Sequence, residues 1–129
     1  MAHILIIEDN EQNLYLTTFI LEKHGHRVTQ ARSGPQGIRL AEDLRPDLIL
    51  LDIQLPGMDG HAVAVHLRGN VGMSHIPIVA VTSYAMAGDR ERILAAGCEG
   101  YIEKPINPET FLDQILAYLP LGSSASGEC

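Results

Sequence analysis

Cysteine is nearly absent from this chain: of 129 residues only Cys98 and Cys129 carry a thiol. That excludes a disulfide-stapled scaffold, and two thiols this far apart in sequence read as reduced, with Cys98 a small core filler between Gly97 and Glu99. Basic residues are also few, nine Lys and Arg against sixteen Asp and Glu for a net charge of -7. Nonspecific binding to nucleic acid needs a basic face, so the expected partner is protein rather than DNA or RNA. No apolar run approaches the roughly 18 residues of a membrane span. The start Met1-Ala2-His3-Ile4-Leu5 has neither a basic leader nor a cleavage site, and the expected location is the cytoplasm. No internal repeat is visible at the residue level, which sets solenoids aside.

What is present is an ordinary globular composition, 46% hydrophobic and 19% charged, in a length that fits one domain burying about two thirds of its unfolded surface. The chain is organised around Asp47 to Gly60. Asp47 to Leu51 reads as a short apolar strand with an acid at its mouth, and it delivers a second acid, Asp52, at its C-terminal end. Unbroken apolar character over Leu48 to Leu51 implies burial on both faces, as in a parallel sheet covered by helices. Pro56-Gly57 and Asp59-Gly60 are turn signals that place a loop after the strand. In an open α/β sheet that carboxyl-end rim is where ligands bind.

Strand and helix patterns alternate five times along the chain. The first strand, His3 to Ile7, ends in Glu8-Asp9. Asn10 caps a helix from Glu11 to about His24, with Leu14, Thr18 and Leu21, and beside them Leu16, Phe19 and Ile20, as its inward stripe; Gly25 ends it. A mixed second strand, about Arg27 to Ala31, suits an edge. Ser33-Gly34-Pro35 opens a second helix with Ile38 and Ala41 facing in, closed by Arg45-Pro46. A third helix spans about His61 to Arg68, with Val63 and Leu67 inward, and a buried strand from Ile76 to Val81 ends in Thr82-Ser83. The fourth helix, about Ala85 to Ala96, has only Ile93 and Leu94 as large core residues and is expected to pack lightly. A fifth strand, Gly100 to Glu103, ends in Lys104-Pro105, and a last helix starts at the cap Asn107 with Pro108 and Glu109, presenting Phe111, Leu112, Ile115 and Leu119. The expected domain is residues 1–119, followed by a disordered tail at 120–129 that is small and polar.

Strands joined by helices run parallel with right-handed crossovers. Three buried strands and a mixed second one favour the order 2-1-3-4-5, a doubly wound, flavodoxin-like (βα)5 three-layer sandwich. Strands one, three and five then bring Glu8, Asp9, Asp52 and Lys104 to one rim. Acids this close raise one another's pKa unless a cation joins them, and an all-oxygen ligand set suits Mg²⁺ better than zinc. The bland alternative for Glu8-Asp9 is an acid pair stabilised by the dipole of the following helix. The six histidines, His3, His24, His26, His61, His66 and His75, show no paired spacing near the acidic loops and read as surface or boundary residues.

Taken in order, Glu8-Asp9, Asp52, Thr82, Tyr101 and Lys104-Pro105, with the Asp59-Gly60 turn, resemble the response-regulator receiver domain, the phosphoacceptor half of two-component signalling. The resemblance covers about Ala2 to Leu119. The wording Asp52-Ile53-Gln54-Leu55-Pro56 and Ala80 to Met86 is most similar to stand-alone regulators of the DivK type and to receivers of hybrid kinases. It implies that Asp52 takes a phosphoryl group from a histidine kinase or phosphotransfer protein, that Asp9, Asp52 and the backbone carbonyl of Gln54 hold Mg²⁺ with Glu8 acting through a water, and that Lys104 meets the phosphoryl oxygens. It also implies a switch pair, Thr82 and Tyr101, a cis bond at Pro105, and a partner surface on the fourth helix, fifth strand and fifth helix. Gln54 and Tyr84 fall where receivers tune phosphate lifetime, and Ser83 stands where many have alanine.

A phosphorelay intermediate handing phosphate to another histidine is the alternative within this reading, and weak self-catalysed phosphorylation and dephosphorylation is the only enzymatic activity expected. A haloacid-dehalogenase-type enzyme also uses a strand-end aspartate with Mg²⁺, but after its first strand and commonly as Asp-x-Asp; here Glu8-Asp9 stands there, and Gln54 is two beyond Asp52. A flavodoxin-like cofactor module needs a phosphate loop after strand one, where Glu8-Asp9-Asn10 is acidic. A pseudo-receiver that binds partners without phosphate does not need the full set of rim residues.

Overall fold

A computed structural model describes residues 2–55, 59–70, 72, 75–82, 87–104 and 106–119, the side chains of 87–90 excepted. The expected tail at 120–129, the Pro56-Gly57 turn, Ser83, Tyr84 and the cis bond expected at Pro105 lie outside the described residues. Ten elements alternate: β1 His3–Ile7, α1 Glu11–Lys23, β2 Arg27–Ala31, α2 Gly34–Leu44, β3 Leu48–Asp52, α3 Gly60–Arg68, β4 Ile78–Thr82, α4 Ala87–Ala95, β5 Gly100–Glu103 and α5 Pro108–Leu116. All strand pairs are parallel, in the order β2-β1-β3-β4-β5.

Period-two alternation divides the central strands between two cores. Leu5, Ile7, Ile49, Leu51, Ile78 and Ala80 point to one face, where Ile38 and Ala41 of α2, Val63 and Leu67 of α3 and Ile93 of α4 cover them. Ile4, Ile6, Leu48, Leu50, Val79 and Val81 point to the other, covered by Leu14, Ile20 and Leu21 of α1 and by Phe111 and Ile115 of α5. Every residue of β3 and β4 is buried, as the unbroken apolar runs require, whereas β2 at the edge is mostly open. Cys98 is buried with a free thiol, and burial pushes that thiol up to about 12, so it fills core space without reactivity.

The helix ends follow the capping chemistry of their residues. Asn10, Ser33 and Asn107 accept from backbone N–H groups of the first turns of α1, α2 and α5. Gly25 leaves α1 at a φ of 89°, and Arg45 closes α2 in the left-handed region at 48° just before Pro46.

Three details differ from the sequence pattern. In α1 it is Thr17, not Thr18, that is buried, because its hydroxyl donates to the Asn13 carbonyl at 2.8 Å and so enters the core satisfied. Phe19, assigned inward, is 52% exposed; it stacks on Tyr15 at 6.3 Å with Lys23 Nζ 5.9 Å from its ring. Leu94, assigned to the core, is also 52% exposed, since one step along a helix turns about 100° away from buried Ile93. The rim, by contrast, is as expected. Ile7 pairs with Leu51, Asp52 with Val81, and Thr82 with Glu103, so the carboxyl ends of β1, β3, β4 and β5 finish side by side.

Candidate functional site

Asp52 is the last residue of β3 and only 2% exposed. Its Oδ1 accepts the backbone N–H of Gln54 at 3.0 Å and lies 3.3 Å from Lys104 Nζ. Lys104 reaches this place from the end of β5, where its own N–H donates to the Thr82 carbonyl at 2.8 Å. Glu8, 4% exposed, follows β1 and is held there by its N–H bond to the Ala31 carbonyl at 2.9 Å. Its Oε2 accepts from the Asn10 N–H at 3.2 Å while its Oε1 lies 3.5 Å from the same ammonium. Asp9 is exposed at the mouth. Thr82 is buried at the end of β4, and Tyr101 is half-buried against the core cluster that contains Ile93.

The structure therefore gathers Glu8, Asp9, Asp52 and Lys104, with Thr82 on the adjacent strand end. A carboxylate oxygen from each of the three acids lies within 4.8 Å of the others. Three hard oxygen donors against a single ammonium leave negative charge in excess, and this donor set fits a hexacoordinate hard cation such as Mg²⁺. Burial, then the hydrogen bond and charge of Asp52, push Glu8 up to about 7, even though Lys104 and the Asn10 N–H pull the other way.

A pH dependence follows from that shift. Between about 4.5 and about 7 the folded chain holds a proton on Glu8 that the unfolded chain has released, so folding is favoured at the acid end. In metal-free buffer the melting temperature is expected to contain a component that falls as pH rises through this window. Glu8→Gln should remove that component, and Mg²⁺ should stabilise the parent more above the window than below it. Melting curves of the two proteins with and without Mg²⁺ check this; an identical pH profile in Glu8→Gln would contradict it.

The β3–α3 connection holds a feature that spacing did not reveal. Gly60 opens α3 against the end of β3: a Cβ there would lie 2.6 Å from the Asp52 carbonyl oxygen and 2.5 Å from Ile53 Cα. Any side chain would thus push α3 off the site. Asp59 caps this helix, accepting the His61 N–H at 2.7 Å, and its Oδ1 also lies 2.9 Å from His61 Nδ1. His61 is a boundary residue, as the sequence suggests, with its ring mostly buried and paired with an acid of the β3–α3 loop. The signal was the capping pattern, because an N-cap aspartate that bonds the residue two positions on brings that side chain within its reach.

A doubly wound parallel sheet with three carboxylates and an ammonium around a buried strand-end aspartate defines a flavodoxin-like α/β domain with an acidic rim as its candidate site. Residues 4–116 match the response regulator receiver domain. The chain is 45% identical over 116 residues to the polar-differentiation response regulator DivK of Brucella anthropi, and equally to that of Brucella ovis, covering 90% of this chain and 94% of each relative. Among solved structures, the Vibrio cholerae chemotaxis protein CheY4 superposes with a TM-score of 0.88 at 27% identity, covering 92% of this chain and 99% of that one. The receiver domain of a Pseudomonas aeruginosa sensor histidine kinase, which has a magnesium ion coordinated in its active site cleft, superposes at 0.84 and 35% identity, covering 91% and 96%. The chain belongs to the response-regulator receiver family of two-component signalling. No helix among the described residues is long and apolar enough to cross a membrane.

Proposed function

We propose that Asp52 accepts a phosphoryl group from a phosphohistidine on a kinase or phosphotransfer protein, and that this controls binding to a downstream protein. The observation that carries the reading is the buried Asp52 carboxylate 3.3 Å from Lys104 Nζ. In the transfer an Asp52 oxygen attacks phosphorus, the P–N bond to the donor imidazole breaks, and an acyl phosphate remains on Asp52. Lys104 offers a fixed positive charge to the phosphoryl oxygens, and Gln54 N–H holds the carboxylate in place. Asp9, Asp52 and the Gln54 carbonyl, backed by Glu8, would hold Mg²⁺, which when bound neutralises the repulsion between carboxylate and phosphoryl oxygens. The test is incubation with acetyl phosphate and Mg²⁺ followed by intact-mass measurement. One added phosphate supports the reading, and none opposes it.

The route outward runs from Thr82 to Tyr101. The acyl phosphate brings about two negative charges and three acceptor oxygens, which draw the Thr82 hydroxyl inward and leave room beside the half-buried Tyr101 ring. Ile93 packs in the same core cluster, so α4 responds with Tyr101 of β5, and the face that α4 and β5 share with neighbouring α5 is the proposed partner surface. Turning a two-state equilibrium from 1:99 to 99:1 takes about 5.5 kcal/mol, and one neutral hydrogen bond gives about 0.5–1.5 kcal/mol. Thr82 thus acts with the charge-assisted contacts of Lys104. Thr82→Ala is expected to accept phosphate as the parent does while losing most of the phosphate-dependent NMR shift of the Tyr101 ring and the Ile93 methyls. A full shift in Thr82→Ala would rule the route out.

A further inference from the structure

Beside the rim lies a cavity of about 300 Å³, and four of the side chains lining it are Gln54, Thr82, Asp59 and His61. Two of these residues adjoin the reacting group: the Gln54 N–H bonds Asp52 Oδ1, and Thr82 follows Val81, the cross-strand neighbour of Asp52. His61 is fixed on the same cavity because Gly60, the residue before it, packs on the Asp52 carbonyl and donates to the Ile53 carbonyl at 3.0 Å. Asp59 Oδ1 sits 2.9 Å from His61 Nδ1. A carboxylate there assigns the ring proton to Nδ1 and leaves the lone pair on Nε2. That Nε2 is buried and has no hydrogen-bond partner among the described residues. A buried acceptor left unpaired forgoes the hydrogen bond it would make in water, so the first O–H donor to reach it is bound favourably. The cavity has volume for several waters, each needing about 30 Å³.

We infer that His61, oriented by Asp59, is the base that limits the lifetime of the phosphate on Asp52; this rests on the phosphoacceptor function proposed above. Once the phosphoryl oxygens draw Thr82 inward, its hydroxyl leaves the cavity wall and water reaches Nε2. The water oxygen attacks phosphorus while its proton passes to Nε2. The P–O bond to Asp52 breaks and its electron pair returns to the carboxylate, giving inorganic phosphate and free Asp52. The Asp59 carboxylate stabilises the imidazolium until its proton returns to solvent. A positioned base of this kind contributes about 10²–10⁴-fold to a rate.

The experiment loads parent, His61→Gln and His61→Ala with phosphate from acetyl phosphate and Mg²⁺, removes the donor, and follows phosphate loss by intact mass. His61→Gln keeps a side chain able to bond Asp59 but takes up no proton, and both variants are expected to hold phosphate about 10²-fold longer than the parent. Free imidazole should restore rapid loss to His61→Ala and leave the parent unchanged, which a purely structural role would not produce. Loss as fast as the parent in both variants, or acceleration of parent and His61→Ala alike by imidazole, would overturn the inference. A parent that takes up no phosphate would overturn the phosphoacceptor reading itself and this inference with it, a result distinct from normal uptake with unchanged decay.

Discussion

Asp52→Asn is expected to take up no phosphate from acetyl phosphate under conditions where the parent gains one, a complete loss rather than a reduction. An amide oxygen is a far weaker nucleophile than a carboxylate, and Asp9 is exposed while Glu8 is protonated up to about 7, so neither acid matches Asp52 in position and charge. The substitution is nearly isosteric, and its oxygen can still accept the Gln54 N–H that Asp52 Oδ1 now accepts at 3.0 Å. It also removes one carboxylate from a rim with an excess of them. The variant should therefore melt no lower than the parent in metal-free buffer, which separates lost chemistry from lost fold. Intact mass and a melting curve on the same sample measure both. The mass increment on the parent should disappear under mild base, as an acyl phosphate does, and continued labelling of Asp52→Asn would move the acceptor elsewhere.

Much of the architecture was legible because burial on two faces writes itself into composition. β3 and β4 are apolar up to their last residues, Asp52 and Thr82, and both are buried at every residue. The caps Asn10, Ser33 and Asn107 were readable because a short acceptor side chain before an apolar helical pattern has one favourable use there. Rotational phase was less legible. Whether Thr17 or Thr18 faces inward depends on where α1 meets the sheet, and a hydroxyl that bonds its own helix backbone passes as apolar. Phe19 and Leu94 lie outside for the same reason: hydrophobicity marks them as core candidates, but a helix angle decides. At the rim, the order of strand ends and the resemblance to receivers brought Glu8, Asp9, Asp52 and Lys104 together. They did not foretell that Glu8 is buried and bonded to Asn10 while its neighbour Asp9 faces solvent. The Asp59–His61 pair escaped because it is made through a helix cap, not through the spacings that mark metal or catalytic histidines.

Lys104 carries the largest expected effect on stability. Its side chain is 13% exposed, and its ammonium lies 3.3 Å from Asp52 and 3.5 Å from Glu8, both nearly inaccessible. Lys104→Met preserves the bulk of the stem and removes only the charge. Stripping one partner from a buried ionic set costs about 3–5 kcal/mol, because the remaining charge is left without compensation. A loss of about 3 kcal/mol, roughly 10–15 °C in melting temperature for a domain of this size, is expected above the range in which Glu8 titrates. The loss should shrink as pH falls. Without Lys104, which draws the Glu8 pKa down, Glu8 takes up its proton already above about 7, so the folded site of the variant sheds that unpaired negative charge as pH falls toward about 7. Two further measurements distinguish this electrostatic cause from poor packing of methionine. Mg²⁺ should restore more stability to Lys104→Met than to the parent, since a divalent cation supplies the charge that is missing. Adding Glu8→Gln should cost less in the Lys104→Met background than in the parent, a coupling that a double-mutant cycle reads directly. A loss that is independent of pH and unaffected by Mg²⁺ would mean that Lys104 holds the rim by packing of its stem, and that its ammonium is no counterweight to the two buried acids.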